Sequence, residues 1–177
     1  MECTTRTTGS GRLSCCLLLV GVFLLSSSPG SAAASRRLLQ TSEAQDYTVS
    51  QAHLRACNNL RPLKWSDTLA EQAAQWAQQY KDNCAAASPA PGINVFLGYA
   101  GGSWLPSDAV AAWASEKDYY DFLSNSCAQG KQCGHFTQLV WKDTKEVGCA
   151  TMDCASGEKL MTCHYSPRGN VEGQKPF

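Results

Sequence analysis

A chain of 177 residues is long enough for one domain of ordinary size, and 15 Lys/Arg against 15 Asp/Glu give it a formal net charge of +0. No field of one sign exists to draw in nucleic acid or an anionic membrane. Ten cysteines point instead to a disulfide framework formed in an oxidising compartment.

Residues 1–34 read as a secretory leader. Arg6 and Arg12 make a weakly positive start, Cys15 to Leu25 is apolar but too short to span a bilayer, and Ala32-Ala33-Ala34 offers the small residues of a cleavage site. Cleavage there leaves 13 Lys/Arg (15 less Arg6 and Arg12) against 14 Asp/Glu (15 less Glu2), a net of −1. It also removes Cys3, Cys15 and Cys16. Seven cysteines remain, which is a framework with one over, and no C-x-x-C pair among them suggests a zinc site.

Residues 35–45 carry Arg36-Arg37 and no turn or core pattern, so they read as a flexible lead-in to a domain over 46–177. From Asp46 to about Leu60, residues Val49, Ala52, His53 and Ala56 recur at helical spacing, which predicts a helix with that stripe inward. Pro62 and the extended Leu63-Lys64-Trp65 end it. Ser66 to Tyr80 predicts a second helix, capped by Ser66, with Leu69, Ala73, Trp76, Ala77 and Tyr80 on one apolar stripe. Burying Leu69 or Trp76 contributes roughly 2–3 kcal/mol.

An Ala/Pro-rich stretch with Cys84 leads to a short apolar run, Ile93 to Leu97, expected as an edge strand. Tyr99 to Pro106 reads as a loop bearing one exposed-looking aromatic, Trp104. Ser107 is expected to cap a third helix with Val110, Trp113, Ala114 and Lys117 on one face and Glu116 at its flank. Tyr119 to Asn125 is a second aromatic loop. Gly134 to Trp141 is a short apolar-faced segment, and Glu146–Asp153 and Lys159–Ser166 read as strands joined by Ala155-Ser156-Gly157. Helices first and cross-linked strands late predict an α+β layer fold with helices covering a small antiparallel sheet.

No G-x-S-x-G elbow, H-E-x-x-H pair or phosphate-binding glycine loop occurs. His53 and His164 fall in apolar settings and read as structural. His135 follows Gly134 at the start of its segment, which predicts an exposed ring. One histidine, with Glu116 as its only suggested companion, falls short of the three or four ligands that tetrahedral zinc needs.

Gly134-His135-Phe136-Thr137-Gln138-Leu139-Val140-Trp141 resembles the G-H-[FY]-T-Q-x-[VI]-W signature of the cysteine-rich secretory, antigen 5 and pathogenesis-related 1 superfamily. Cys163-His164-Tyr165-Ser166-Pro167-Arg168-Gly169-Asn170 resembles its second signature, C-x-Y-x-P-x-G-N. The likeness runs from about Gln45 to Phe177, and the C-terminus is most similar to the plant pathogenesis-related 1 proteins. It implies a three-layer α-β-α sandwich with bridges Cys84–Cys154, Cys127–Cys133 and Cys149–Cys163. Cys57 lies outside that set and is expected as a free thiol.

Members of this superfamily build a central cavity from two histidines and two glutamates, and some hold a divalent metal there. Here Glu116 and His135 match, while Ser88 and Ile93 stand at the other two positions. The resemblance therefore implies no metal and no cofactor, with Glu116 and His135 kept as a buried hydrogen-bonded pair.

It further implies a secreted, non-enzymatic defence protein, monomeric and without stable membrane insertion, that binds a sterol or fatty acid. Phe96, Tyr99, Trp104, Tyr119, Tyr120 and Phe122, in the two aromatic loops, are the expected lipid contacts. An alternative is a precursor cleaved between Ser166 and Pro167 to release the peptide Pro167 to Phe177. A second alternative, a metal-dependent hydrolase, is disfavoured by the missing histidine and glutamate.

Overall fold

The computed structural model describes residues 29–177, with side chains from residue 42 onward. Most of the expected leader lies outside the described residues. Helix α1 spans Pro29–Cys57, so residues 35–45 are helical and not a flexible lead-in. The physical reason is that no Gly or Pro interrupts 31–57, while Ala, Leu, Arg, Glu and Gln dominate 32–45 and favour helix.

The inward face of α1 also differs from expectation. Val49 is 60% exposed and His53 is exposed, whereas Tyr47, Gln51 and Arg55, one turn apart, are buried. That face is largely polar: hydrogen bonds satisfy Gln51 and Arg55, while the Tyr47 ring joins the larger core.

Strand β1, Lys64–Trp65, leads into helix α2, Asp67–Gln78. The Ser66 side chain caps α2 by accepting the Leu69 N–H, and Ala73 and Ala77 are buried on its inner stripe. Strand β2, Ile93–Gly98, precedes helix α3, Pro106–Ser115. The start of α3 is not capped by Ser107. Pro106 occupies the first turn, where its missing N–H is no loss, and the Asp108 carboxylate accepts the Leu105 N–H at 2.7 Å. Val110 and Trp113 turn inward as expected, but Lys117 is exposed. Strands β3, Tyr120–Asp121, and β4, Ser126–Cys127, form a small hairpin ahead of helix α4, Gly134–Leu139. Strands β5, Glu146–Asp153, and β6, Lys159–Ser166, close the chain at the bounds their sequence pattern predicts.

The main sheet has the order β1-β5-β6-β2. Its β5–β6 and β6–β2 pairs are antiparallel, and the short β1–β5 pair at one edge is parallel. Helix α2 packs on one face against β5 and β6, while α1, α3 and α4 pack together on the other. This is an α-β-α arrangement of three layers. Alternation along β6 sends Met161, Cys163 and Tyr165 into the larger core with Trp113, Phe136 and Leu139, and Leu160 into the smaller core under α2. Gly148 on β5 is required by the α2 layer: a Cβ there would collide with the backbone of Leu69 and Ala70. Among the described residues no helix is long and apolar enough to cross a membrane.

Three described bridges staple these layers. Cys84–Cys154 ties the 3-10 turn after α2 to the end of β5, Cys149–Cys163 joins directly opposed residues of β5 and β6, and Cys127–Cys133 ties the hairpin to the residue before α4. These are the pairs the resemblance implies. With sequence separations of 70, 14 and 6, the chain-entropy model assigns them roughly 4, 3 and 2 kcal/mol. Cys57 is disulfide-bonded, which corrects the expectation of a free thiol. The other six described cysteines pair with one another.

Candidate functional site

Glu116 lies just beyond the last turn of α3 and His135 in the first turn of α4, and the packing of these helices brings them together. His135 Nδ1 sits 2.6 Å from Glu116 Oε1. A carboxylate can only accept, so Nδ1 carries the proton in this pair. Oε2 accepts the backbone N–H of His135 at 2.9 Å and of Phe136 at 3.1 Å. Helix α4 thus has two of its initial, otherwise unpaired N–H groups satisfied by a carboxylate.

Burial raises the Glu116 pKa, but the His135 ring, as hydrogen-bond donor and as charge, outweighs burial together with the N–H groups of Phe136 and His135. The net result lies below the ordinary 4.5.

The His135 side chain is buried, which corrects the expectation of an exposed ring. Gly134 opens the helix without exposing its neighbour, because Trp113 stacks on the imidazole with centroids 6.1 Å apart. His135 Nε2 is buried and has no hydrogen-bond partner among the described residues. The residue borders a cleft of about 310 Å³. Residues 89–91 (Pro-Ala-Pro) and Ile93 form one wall, and Cys133, Gly134 and His135 form much of the other. Ile93 lines this cleft, while Ser88 is exposed and does not line it.

A divalent metal of the kind the resemblance raises does not suit these residues. Both Glu116 oxygens and Nδ1 of His135 are already paired, Ile93 offers no donor, and only Nε2 remains. Among the described residues no group of three or more His, Cys, Asp or Glu is placed to hold a metal ion.

A buried polar network holds the site and was not anticipated from the sequence. Asn94 Nδ2 donates to the His135 carbonyl at 3.1 Å, and Tyr165 donates its hydroxyl proton to Gln51 Oε1 at 3.2 Å. Arg55 Nη1 donates to the carbonyls of Leu139 at 2.9 Å and Trp141 at 3.0 Å, just past the end of α4, and its Nε donates to Arg61 at 2.7 Å. Burial pushes the phenols of Tyr47 and Tyr165 well above their ordinary range, so both stay neutral. The signal available beforehand was the four-residue spacing of Tyr47, Gln51 and Arg55.

The six aromatics expected to contact lipid do not form one surface. Trp104 folds over Gly98 and Gly102 between Phe96 and Tyr99, with ring centroids 5.2 and 4.8 Å away. Tyr120 packs near Phe136, Tyr119 lies under the Lys131 ammonium, and Phe122 stacks on Phe177. None of the six borders the cleft beside His135.

The segment from Pro167 to Phe177 is fastened along α4. Thr144 donates to the Pro167 carbonyl, the Gly169 N–H donates to Gln138, and Asn170 bonds Gly134 and Thr137. Ser166 is half-buried and Pro167 exposed.

The three-layer sandwich stapled by its described bridges defines one class of domain. The chain belongs to the CAP family, described as the cysteine-rich secretory protein family, whose model matches residues 51–165. It is 42% identical over 136 residues to the pathogenesis-related protein PRMS of Zea mays, covering 75% of this chain and 81% of that protein. It is 38% identical over 134 residues to pathogenesis-related protein 1C of Nicotiana tabacum, covering 75% and 80%. Among solved structures, the hookworm platelet inhibitor matches with a TM-score of 0.61 at 23% identity, covering 76% of this chain and 74% of that one, a likeness of fold alone.

Proposed function

We propose that this chain is a secreted, non-enzymatic defence-type protein that binds a sterol or other small lipid in the cleft beside His135. The observation that carries the reading is the cleft wall itself. Proline, alanine and isoleucine line it where a carboxylate would otherwise stand, next to a histidine and glutamate locked onto each other and onto the backbone of α4. Such a wall gains free energy by removing apolar surface from water, at about 25 cal/mol per Å². Few polar groups border that wall, which is the usual economy of a lipid pocket.

The defence role draws on the similarity to plant proteins named pathogenesis-related, and secretion draws on the leader-like N-terminus, the bridges and the family. The test is a titration of purified protein with a fluorescent sterol. Saturable binding that is lost in Ile93→Glu and retained in Trp104→Ala supports the cleft as the site. Binding lost only in Trp104→Ala transfers it to the aromatic loop, and absence of saturable binding removes the proposal.

A further inference from the structure

We propose that the Cys127–Cys133 bridge is a thiol-exchange site, and that its opening by an external dithiol releases the end of the chain from a clasp made by the β3–β4 hairpin. The inference stands apart from ligand binding and does not rest on it.

Among the three bridges whose halves are both described, accessibility singles out this one. Cys127 is exposed, whereas Cys84, Cys154, Cys149 and Cys163 are each 6% exposed or less. Thiol–disulfide exchange requires an attacking thiolate to reach a sulfur, and among these three bridges only Cys127 stands open to solvent. Topology points the same way. The bridge closes a separation of 6, against 14 and 70 for the others, so its loss relaxes the unfolded chain least and the core keeps its two longer staples.

What the bridge holds is specific. The hairpin has only the pairs Tyr120↔Cys127 and Asp121↔Ser126, too few to stand without a tether. Its tip grips the end of the chain at three points. Asn125 Nδ2 donates to the Gln174 carbonyl at 3.1 Å, Lys175 Nζ donates to the Leu123 carbonyl at 3.2 Å, and Phe122 stacks on Phe177 with centroids 4.9 Å apart. Beneath the tip, a second cleft of about 270 Å³ runs between Cys127, Cys133 and residues 170–174. The hairpin therefore meets Gln174, Lys175 and Phe177 across a cleft, while Pro176 is held separately by the Lys142 N–H at 2.6 Å, so a loosened hinge frees those three residues from the clasp.

The exchange balances as follows. One thiolate of the dithiol attacks Cys127 Sγ, the Sγ–Sγ bond breaks, and Cys133 leaves as a thiolate that takes up a proton. The second thiol of the reductant then attacks the mixed disulfide and expels Cys127. The protein disulfide gains an electron pair, and the reductant loses one as it closes to its own disulfide.

The test treats the full folded protein with graded dithiothreitol, alkylates it, and maps the labelled cysteines by mass spectrometry. In parallel, a serine carboxypeptidase reports how fast the C-terminal residues are removed. The expected result is that Cys127 and Cys133 label first, with removal faster by roughly tenfold, as when proteolysis follows a locally open state. In Phe122→Ala removal should already be fast before reduction and gain little from it, which tests the clasp without relying on a cysteine variant that folds. Another of the three bridges opening first, or Cys127–Cys133 opening with no change in removal, would overturn the proposal.

Discussion

Both oxygens of the Glu116 carboxylate are taken up by the first turn of α4: Oε1 meets His135 Nδ1 at 2.6 Å and Oε2 accepts the His135 N–H at 2.9 Å. Glu116→Gln keeps the shape but turns an amide NH₂ toward donors that need an acceptor. The expected loss of stability is about 2–3 kcal/mol, read as a lower urea midpoint at unchanged slope.

Acid should destabilise the fold in two separable stages. Burial pulls His164, packed edge-on to Trp76, below its ordinary 6.5, so the unfolded chain binds that proton first and stability falls as pH drops below 6.5. Glu116 is also depressed in the folded state. Its contribution is full above its ordinary 4.5 and is lost as pH falls through its lower folded value. His164→Phe should flatten the first stage and Glu116→Gln the second, as measured by urea midpoints from pH 7.5 downward, about a unit at a time.

Arg55 is 2% exposed and supports the end of α4 and the chain just beyond it through main-chain carbonyls alone. Arg55→Met should cost about 3 kcal/mol by leaving buried acceptors unpaired, and Arg55→Lys should not rescue it, because one ammonium cannot reproduce the guanidinium fork. Amide exchange in α4 should quicken in both variants.

Gly148→Ala places a methyl group against the backbone of α2. Either the helix or the strand must move, and the expected cost is about 3 kcal/mol or failure to accumulate as folded protein. Thermal unfolding of the purified variant checks this.

The strands and α2 were legible because their patterns are local: β5 and β6 alternate, and α2 carries a cap and an apolar stripe. Helix α1 was misread because its buried side is Tyr47, Gln51 and Arg55, residues whose burial rests largely on partners about 84 to 114 positions away, such as Leu139 and Tyr165. Burial of His135 likewise depends on Trp113 and Glu116, which no local pattern reveals. The resemblance led to Ile93 and the Glu116–His135 pair, but not to the walls of the cleft or to Asn94 beneath it.

Native mass spectrometry of the purified folded protein tests the central claim most directly. The account predicts a metal-free mass, with a fraction carrying a sterol- or fatty-acid-sized adduct that disappears in Ile93→Glu. A stoichiometric zinc adduct lost in His135→Ala, with no lipid on the wild-type protein, would contradict it.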